Sequence, residues 1–254
     1  MEFRPKEDFL IYAGVNRGVK AGGFNAKLND FSPALPQSQI PYDEEVLTAY
    51  EAGFKVTLPD GSTRINASAF YYDYQDYQAF VFATSSGVIR NNDATYKGAE
   101  LQIFSRPVDG LDLMFGSAWI DAVVEDLPIA PNVLRDVTPT FTPEWQLSAL
   151  LRYEWPTAAW GGKFSIQLDG NYASSRYHNL RNFSADKMDD YAIGNTQIAW
   201  ESDSGRWLTS LFVDNVTDER YKISGFDLAT LCGCNDEAYG KPRWYGVRLR
   251  YSIE

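Results

Sequence analysis

The sequence predicts an all-β protein, an antiparallel up-and-down barrel that crosses a membrane with strands, and three observations predict it. Apolar and polar residues alternate through most of the 254 residues, which places side chains on opposite faces of a strand. The links between alternating segments run short, long, short, long along the chain, as they do when turns gather at one membrane surface and loops at the other. Tyr and Trp collect near segment ends, where rings with a polar edge favour the headgroup level.

Taken in order, strands are expected near 8–16, 46–58, 63–82, 94–105, 111–122, 144–155, 163–175, 189–201, 206–215 and 243–253. In 46–58, Val46, Tyr50, Phe54 and Val56 share one face, while Glu51 and Lys55 take the other. In 94–105, Ala99, Leu101 and Ile103 oppose Glu100 and Gln102. In 145–155, Trp145, Leu147, Ala149, Leu151, Tyr153 and Trp155 oppose Gln146, Ser148, Leu150, Arg152 and Glu154. Phe164, Ile166, Leu168 and Tyr172 oppose Lys163, Ser165, Gln167, Asp169 and Asn171. The last segment sets Tyr245, Val247, Leu249, Tyr251 and Ile253 against Trp244, Gly246, Arg248, Arg250 and Ser252. The apolar set is expected to face lipid and the charged set the lumen, because a charge facing lipid near mid-membrane costs about 2–4 kcal/mol.

The short links are Pro59-Asp60-Gly61-Ser62, Pro107-Val108-Asp109-Gly110, Ser202-Asp203-Ser204-Gly205 and the slightly longer Pro156–Gly162, all rich in turn residues. The long links are 17–45, 83–93, 123–143, 176–188 and 216–242. The final strand then ends on the short-turn side.

Composition removes some classes. A net charge of −11 argues against a nucleic-acid partner, which needs clustered Lys and Arg. The chain has no run of about 18 apolar residues, so no transmembrane helix is expected. Its first residues, MEFRPKEDFLIYAGV, lack the basic stretch, apolar core and cleavage site of a signal peptide; a fragment, a truncation or a cytosolic protein is expected on that ground. Two cysteines, Cys232 and Cys234, lie in one Cys-Gly-Cys run. They are candidates for a disulfide, and two such residues do not make a metal site.

Six segments, in order, resemble the TonB-dependent receptors of the Gram-negative outer membrane. Tyr12-Ala13 followed by Gly18-Val19-Lys20-Ala21-Gly22-Gly23-Phe24-Asn25 is similar to the family's G-x-K-A-G-G-F-N. Tyr50-Glu51-Ala52-Gly53-Phe54-Lys55 is similar to Y-E-x-G-x-K, and Ala69-Phe70-Tyr71-Tyr72-Asp73-Tyr74 to F-Y-Y-D-Y. Asn91-Asn92 with Lys97-Gly98-Ala99-Glu100 resembles the N-x-G-x-E region. Asp214-Asn215-Val216-Thr217-Asp218-Glu219-Arg220-Tyr221 resembles N-L-x-D-x-x-Y, and Pro242-Arg243-Trp244-Tyr245-Gly246-Val247 the closing P-R-x-Y-G-v strand.

The resemblance implies that residues 1–254 are a partial barrel domain, roughly the last ten strands of a barrel of about 22. It implies that the N-terminal plug domain is absent, and with it the segment that engages TonB. The implied function is active uptake of a scarce nutrient, a ferric siderophore first, by a receptor in the outer membrane and its lipid. The segment is expected not to be competent alone, with no catalysis and no cofactor. The family usually ends in an aromatic residue, whereas this chain ends Ser252-Ile253-Glu254. Ligand contact would fall to the long loops, where Arg90, Arg176, Tyr177, His178 and Arg181 are the candidates for an anionic chelate; each also reads as an ordinary solvated loop residue.

Other classes stay open. A different outer-membrane barrel, a pore or a barrel hydrolase, is one. A hydrolase must use His178, the only histidine, with Ser174, Ser175, Asp186 or Asp189 near it in sequence, and no G-x-S-x-G is present. A soluble β-sandwich binding module is the other, and it gives no reason for the sorted loop lengths.

Overall fold

A strand leaves rows of N–H and C=O groups on both edges, and each row needs a neighbour. In the computed structural model of the protein, which describes residues 1–26, 35–83, 86–156 and 158–253, those rows are met by one antiparallel meander. Its strands are β1 (Glu2–Lys6), β2 (Phe9–Lys20), β3 (Glu45–Thr57), β4 (Thr63–Ala83), β5 (Ser86–Val108), β6 (Leu111–Ala130), β7 (Val133–Val137), β8 (Trp145–Glu154), β9 (Gly162–Ala173), β10 (Tyr191–Ser202) and β11 (Trp207–Asp214). A separate hairpin follows, β12 (Lys222–Leu228) and β13 (Cys234–Tyr239), and then β14 (Trp244–Tyr251). The sheet order is β1-β2-β3-β4-β5-β6-β8-β9-β10-β11-β14, with β7 folded back on β6. Among the described residues β1 and β14 do not pair with each other, so the sheet is open at both.

The register carries the two-faced pattern across strands, because directly paired residues share a face. One row reads Ile11, Phe54, Ala67, Leu101, Ser117, Leu147, Tyr172 and Ala192 from β2 to β10. Another reads Ile166, Ile198, Leu211 and Val247 from β9 to β14. The next row on the other side reads Tyr12, Gly53, Ser68, Glu100, Ala118 and Gln146. The expected apolar set and the expected charged set therefore fall on opposite faces, with no mixing. Trp119 pairs with Trp145, and one row beyond them on the apolar face Lys97 pairs with Asp121 at 2.9 Å. That ion pair marks where the apolar band stops.

The turns are short on one side. Leu58–Ser62 closes with Gly61 at φ 70° and Asp60 accepting from the Ser62 N–H and hydroxyl. Gly110 at φ 81° lies against the Glu154 carbonyl, where a Cβ would collide, so this turn needs glycine twice over.

On the other side the structure corrects the expected links. The link at 83–93 is instead a continuation of the β4–β5 hairpin, paired as far as Ala83 and Ser86. The link at 123–143 begins as strand: β6 runs to Ala130 and turns back as β7. The link at 216–242 holds the β12–β13 hairpin with a four-residue helix, Ala229–Cys232, at its tip. Strand β1 was not expected at all. The portions of the expected links at 27–34, 84–85 and 157 lie outside the described residues. Strands β4, β5 and β6 are 21, 23 and 20 residues long, and about 9–11 tilted residues span a bilayer. Half of each therefore projects past the apolar band as a rim. A bulge between Tyr74 and Tyr77, with Asp76 at φ 57°, sits where β4 leaves the band and bends it.

Candidate functional site

The rim is where this protein keeps a conventional core. Ala79, Val124 and Leu127 are fully buried there, with Val81, Ala94, Ile129, Val137 and Leu180 around them and Tyr74, Tyr77, Tyr96 and Phe183 packed outside. The strand ends cannot face oil at this height, so their apolar residues turn inward against the long links.

Short polar side chains tie each link down. Asn25 donates to the carbonyls of Gln39 and Ile89 and accepts the Ile89 N–H at 2.8 Å, so it docks the first link onto β5. Gln78 donates to the Ala21 and Asp43 carbonyls. Asn182, at φ 52°, accepts from Thr138 N and donates to Thr138 O, joining the 174–190 link to the 138–144 segment. Asn215, at φ 53°, donates to the carbonyls of Glu219 and Lys241 and accepts the Glu219 N–H. Asp218 accepts the Arg243 N–H at 2.9 Å. Asn215 and Asp218 thus clasp the base of the β12–β13 hairpin, which gives the Asn215…Asp218 motif a mechanical role. Asn and Asp suit these positions because they tolerate the left-handed backbone and bond locally.

Two cavities open between the tied links. One, about 390 Å³, is lined by Val81, Val88, Arg90, Pro128, Ile129, Asn132 and Arg181. It brings together two of the five candidate residues, Arg90 and Arg181. Among the described residues no carboxylate pairs with Arg90. The second, about 260 Å³, lies between Tyr77, Phe80, Phe141, His178, Asn179, Gly225 and Phe226. Phe80, Phe141 and Phe226 are each about half exposed at its mouth. Phe141 has φ 54°, a backbone bulky residues avoid, and it is held there by its N–H donating to the Tyr177 carbonyl.

The other candidates are placed differently. Arg176 is buried, donates to the Lys222 carbonyl at 3.3 Å and stands over the Tyr191 ring. Tyr177 meets Phe141 through its backbone. His178 is buried with its Nε2 3.8 Å from Asp186, and Gly225 lies so close that any side chain there would overlap the imidazole. Ser174 is occupied by the Trp145 N–H. The histidine is covered, not presented to a substrate. Arg181 forms an ion pair with Asp227, their side chains 12% and 4% exposed, and lies over Phe183. Burial, and then the neighbouring Asp227, push the Asp186 carboxyl above the ordinary carboxylate range against the pull of His178 and Arg181. Hydrogen bonds from Lys222 and then Tyr239 hold Glu237 below it. Cys232 and Cys234 are joined by a disulfide with Cα atoms 5.3 Å apart. Among the described residues no group of three or more His, Cys, Asp or Glu is placed to hold a metal ion.

Sequence reasoning missed the aromatic mouth and the clasps made by Asn25, Asn182 and Asn215. Phe80 fell in an expected strand and Phe141 and Phe226 in the long links at 123–143 and 216–242, and only the motifs around Asn25 and Asn215 pointed at the clasps there.

The family profile described as TonB dependent receptor-like, beta-barrel, matches residues 1–216. The ferric yersiniabactin uptake receptor FyuA from Yersinia pestis superposes with a TM-score of 0.78 at 19% identity, over all of this chain and 36% of its own. The siderophore receptor PiuA from Acinetobacter baumannii gives 0.71 at 15%, over 98% and 34%. The pyoverdine receptor FpvA from Pseudomonas aeruginosa PAO1, bound to pyoverdine, gives 0.69 at 16%, over 99% and 35%. The chain spans about a third of the length of these solved structures.

Proposed function

The chain belongs to the TonB dependent receptor-like β-barrel family, and from that premise we propose that residues 1–254 are the C-terminal part of a longer receptor that imports a ferric siderophore across the outer membrane. The family is one of transport receptors, not enzymes. The observation that carries the reading is the rim: ordered links enclose one cavity walled by Arg90 and Arg181 and another ringed by Phe80, Phe141 and Phe226. The Arg90 guanidinium suits the oxygen anions of a chelate, Arg181 is paired with Asp227 in the same wall, and phenyl rings suit the apolar parts of a chelate. The receptors FyuA, PiuA and FpvA, whose barrels this sheet resembles, are described as taking ferric yersiniabactin, siderophores and pyoverdine.

The segment does not import alone in this reading. Its edges at β1 and β14 are open, and in lipid each unpaired backbone group costs several kcal/mol. Further strands close the wall, and contact with TonB runs through a plug outside these residues.

The test is uptake of radiolabelled ferric siderophores, as a panel, in a receptor-deficient Gram-negative host. The full-length gene product should restore TonB-dependent uptake of at least one, and R90A should raise its half-saturating concentration. Residues 1–254 behind an added signal peptide should restore none. Uptake by residues 1–254 alone, or no uptake of any panel member by the full-length product, would overturn the proposal.

A further inference from the structure

The β12–β13 hairpin forms one wall of the aromatic cavity through Gly225, Phe226 and Asp227. It leans on the 174–190 link, and the contact between them is built unlike the rest of the rim. Elsewhere asparagine amides join neutral backbone groups. Here the contact is charged, and dry at its centre. Arg181 of the link pairs with Asp227 of the hairpin. Arg176 donates to the Lys222 carbonyl, the Lys222 ammonium to the Lys187 carbonyl at 3.3 Å, and Asn235 to the Ala185 carbonyl at 2.9 Å. At the centre the side chains of His178 and Asp186 are each 1% exposed and 3.8 Å apart. His178 Nε2 and both carboxylate oxygens of Asp186 have no hydrogen-bond partner.

We propose that the hairpin is a lid latched on the 174–190 link, and that the Asp186 carboxyl buried beneath it takes up a proton, so that protonation keeps the lid down and rising pH releases it.

The physical reason is the unpartnered carboxylate. An ionised carboxylate away from water must be paired and hydrogen-bonded or it is strongly penalised. With the lid down, Asp186 faces Asp227 on the hairpin, which repels a second negative charge, and His178, the Phe183 backbone and Arg181 on its own link, which favour it less than burial disfavours it. Arg181 is already committed to Asp227. Farther out, Lys222 and Glu237 neutralise each other at 2.5 Å. A proton on the central contact removes the buried charge. Lifting the hairpin lets water in and removes the same penalty without the proton.

The sign follows from linkage. The Asp186 carboxyl is raised in the closed state, chiefly by burial, so the closed state binds protons more readily than the open one. Its contribution to closure is complete below the open-state value of about 3.9 and is lost as pH rises through the closed-state value. Glu237 is shifted the other way, by Lys222. Its contribution is lost only as pH falls below the ordinary carboxylate range, so it does not oppose the effect above it. Between the two Asp186 values a single proton changes the open-to-closed ratio by about tenfold per pH unit.

Lid opening uncovers the aromatic cavity. That consequence rests on the proposed ligand site, whereas the movement does not, and the experiment reads the movement alone. Hydrogen exchange of peptides covering 222–239 is followed from pH 5 to pH 8 in the full-length protein in outer-membrane vesicles. Rates are corrected for intrinsic exchange and referenced to peptides covering 162–173. Wild-type hairpin exchange should climb with pH by up to about tenfold per unit. D186N, which cannot ionise, should stay protected and flat. A flat wild-type profile overturns the latch, and so does an undiminished slope in D186N. Should D186N fail to reach the membrane, the wild-type profile decides by itself.

Discussion

The membrane band and the rim use the same residue types in opposite ways. In the band, Leu211, Val247 and Leu249 are 58%, 68% and 63% exposed, while in the rim Val124 and Leu127 are fully buried. Nothing distinguishes the side chains. What differs is the solvent: an aliphatic residue gains by leaving water whether it reaches oil or a packed core. The band is therefore held by ladder bonds and outward apolar rows, and the rim by burial, asparagine clasps and one dry ion pair.

This comparison has consequences of different size. The largest belongs to the rim. R181A leaves the Asp227 carboxylate, 4% exposed in its side chain, without its cation, and breaking a buried pair costs about 3–5 kcal/mol. The 216–242 region should become rapidly cleaved by protease in intact outer membranes while the strands stay protected. Unchanged cleavage there would mean that the rim does not depend on this pair.

The next consequence belongs to the band and separates it from any water-facing sheet. Ile198 and Gln197 are neighbours on β10 with opposite faces. Ile198 is 48% exposed, so in water I198R would be nearly neutral. Facing lipid it should cost about 2–4 kcal/mol. The heat-modifiable folded species on a gel should fall for I198R and hold for Q197R. Equal yields from the two would remove the membrane reading of this face.

The smallest effect is expected at the boundary. Lys97 and Asp121 pair on the apolar face just past the Trp119–Trp145 level, half exposed. Exposed pairs contribute little, so K97A should leave folded yield and thermal unfolding unchanged within error. A large loss would place this pair inside the lipid, and the band would have to be redrawn.

The same division explains what could be read beforehand. Period-two alternation is local, so the ten band strands and the sides of Glu51, Lys55, Glu100, Arg152, Gln167, Arg248 and Arg250 were legible. Strand β1, Glu-Phe-Arg-Pro-Lys, was not: it is a fully exposed edge with a proline and no apolar face, features that protect edges and hide strands. Strand β7 is likewise mostly exposed. In the rim, Arg176 and His178 looked like ligand contacts because a polar loop reads as solvated. They are buried because a hairpin some 45 residues later folds over them, and no local pattern records a partner that distant. Arg90 and Arg181 meet at one cavity for a similarly nonlocal reason, since the end of β6 and the turn after it bring their wall between them.

As a membrane wall, this sheet has one face in lipid and the other in water. Nitroxide labels at Leu168→Cys and Gln167→Cys, adjacent on β9 and on opposite faces, test it most directly in the full-length protein in outer membranes. The label at 168 should collide with dissolved oxygen and be shielded from a water-soluble nickel chelate, while the label at 167 should meet the chelate. If both labels meet the chelate equally, both faces lie in water and the sheet is not a membrane wall.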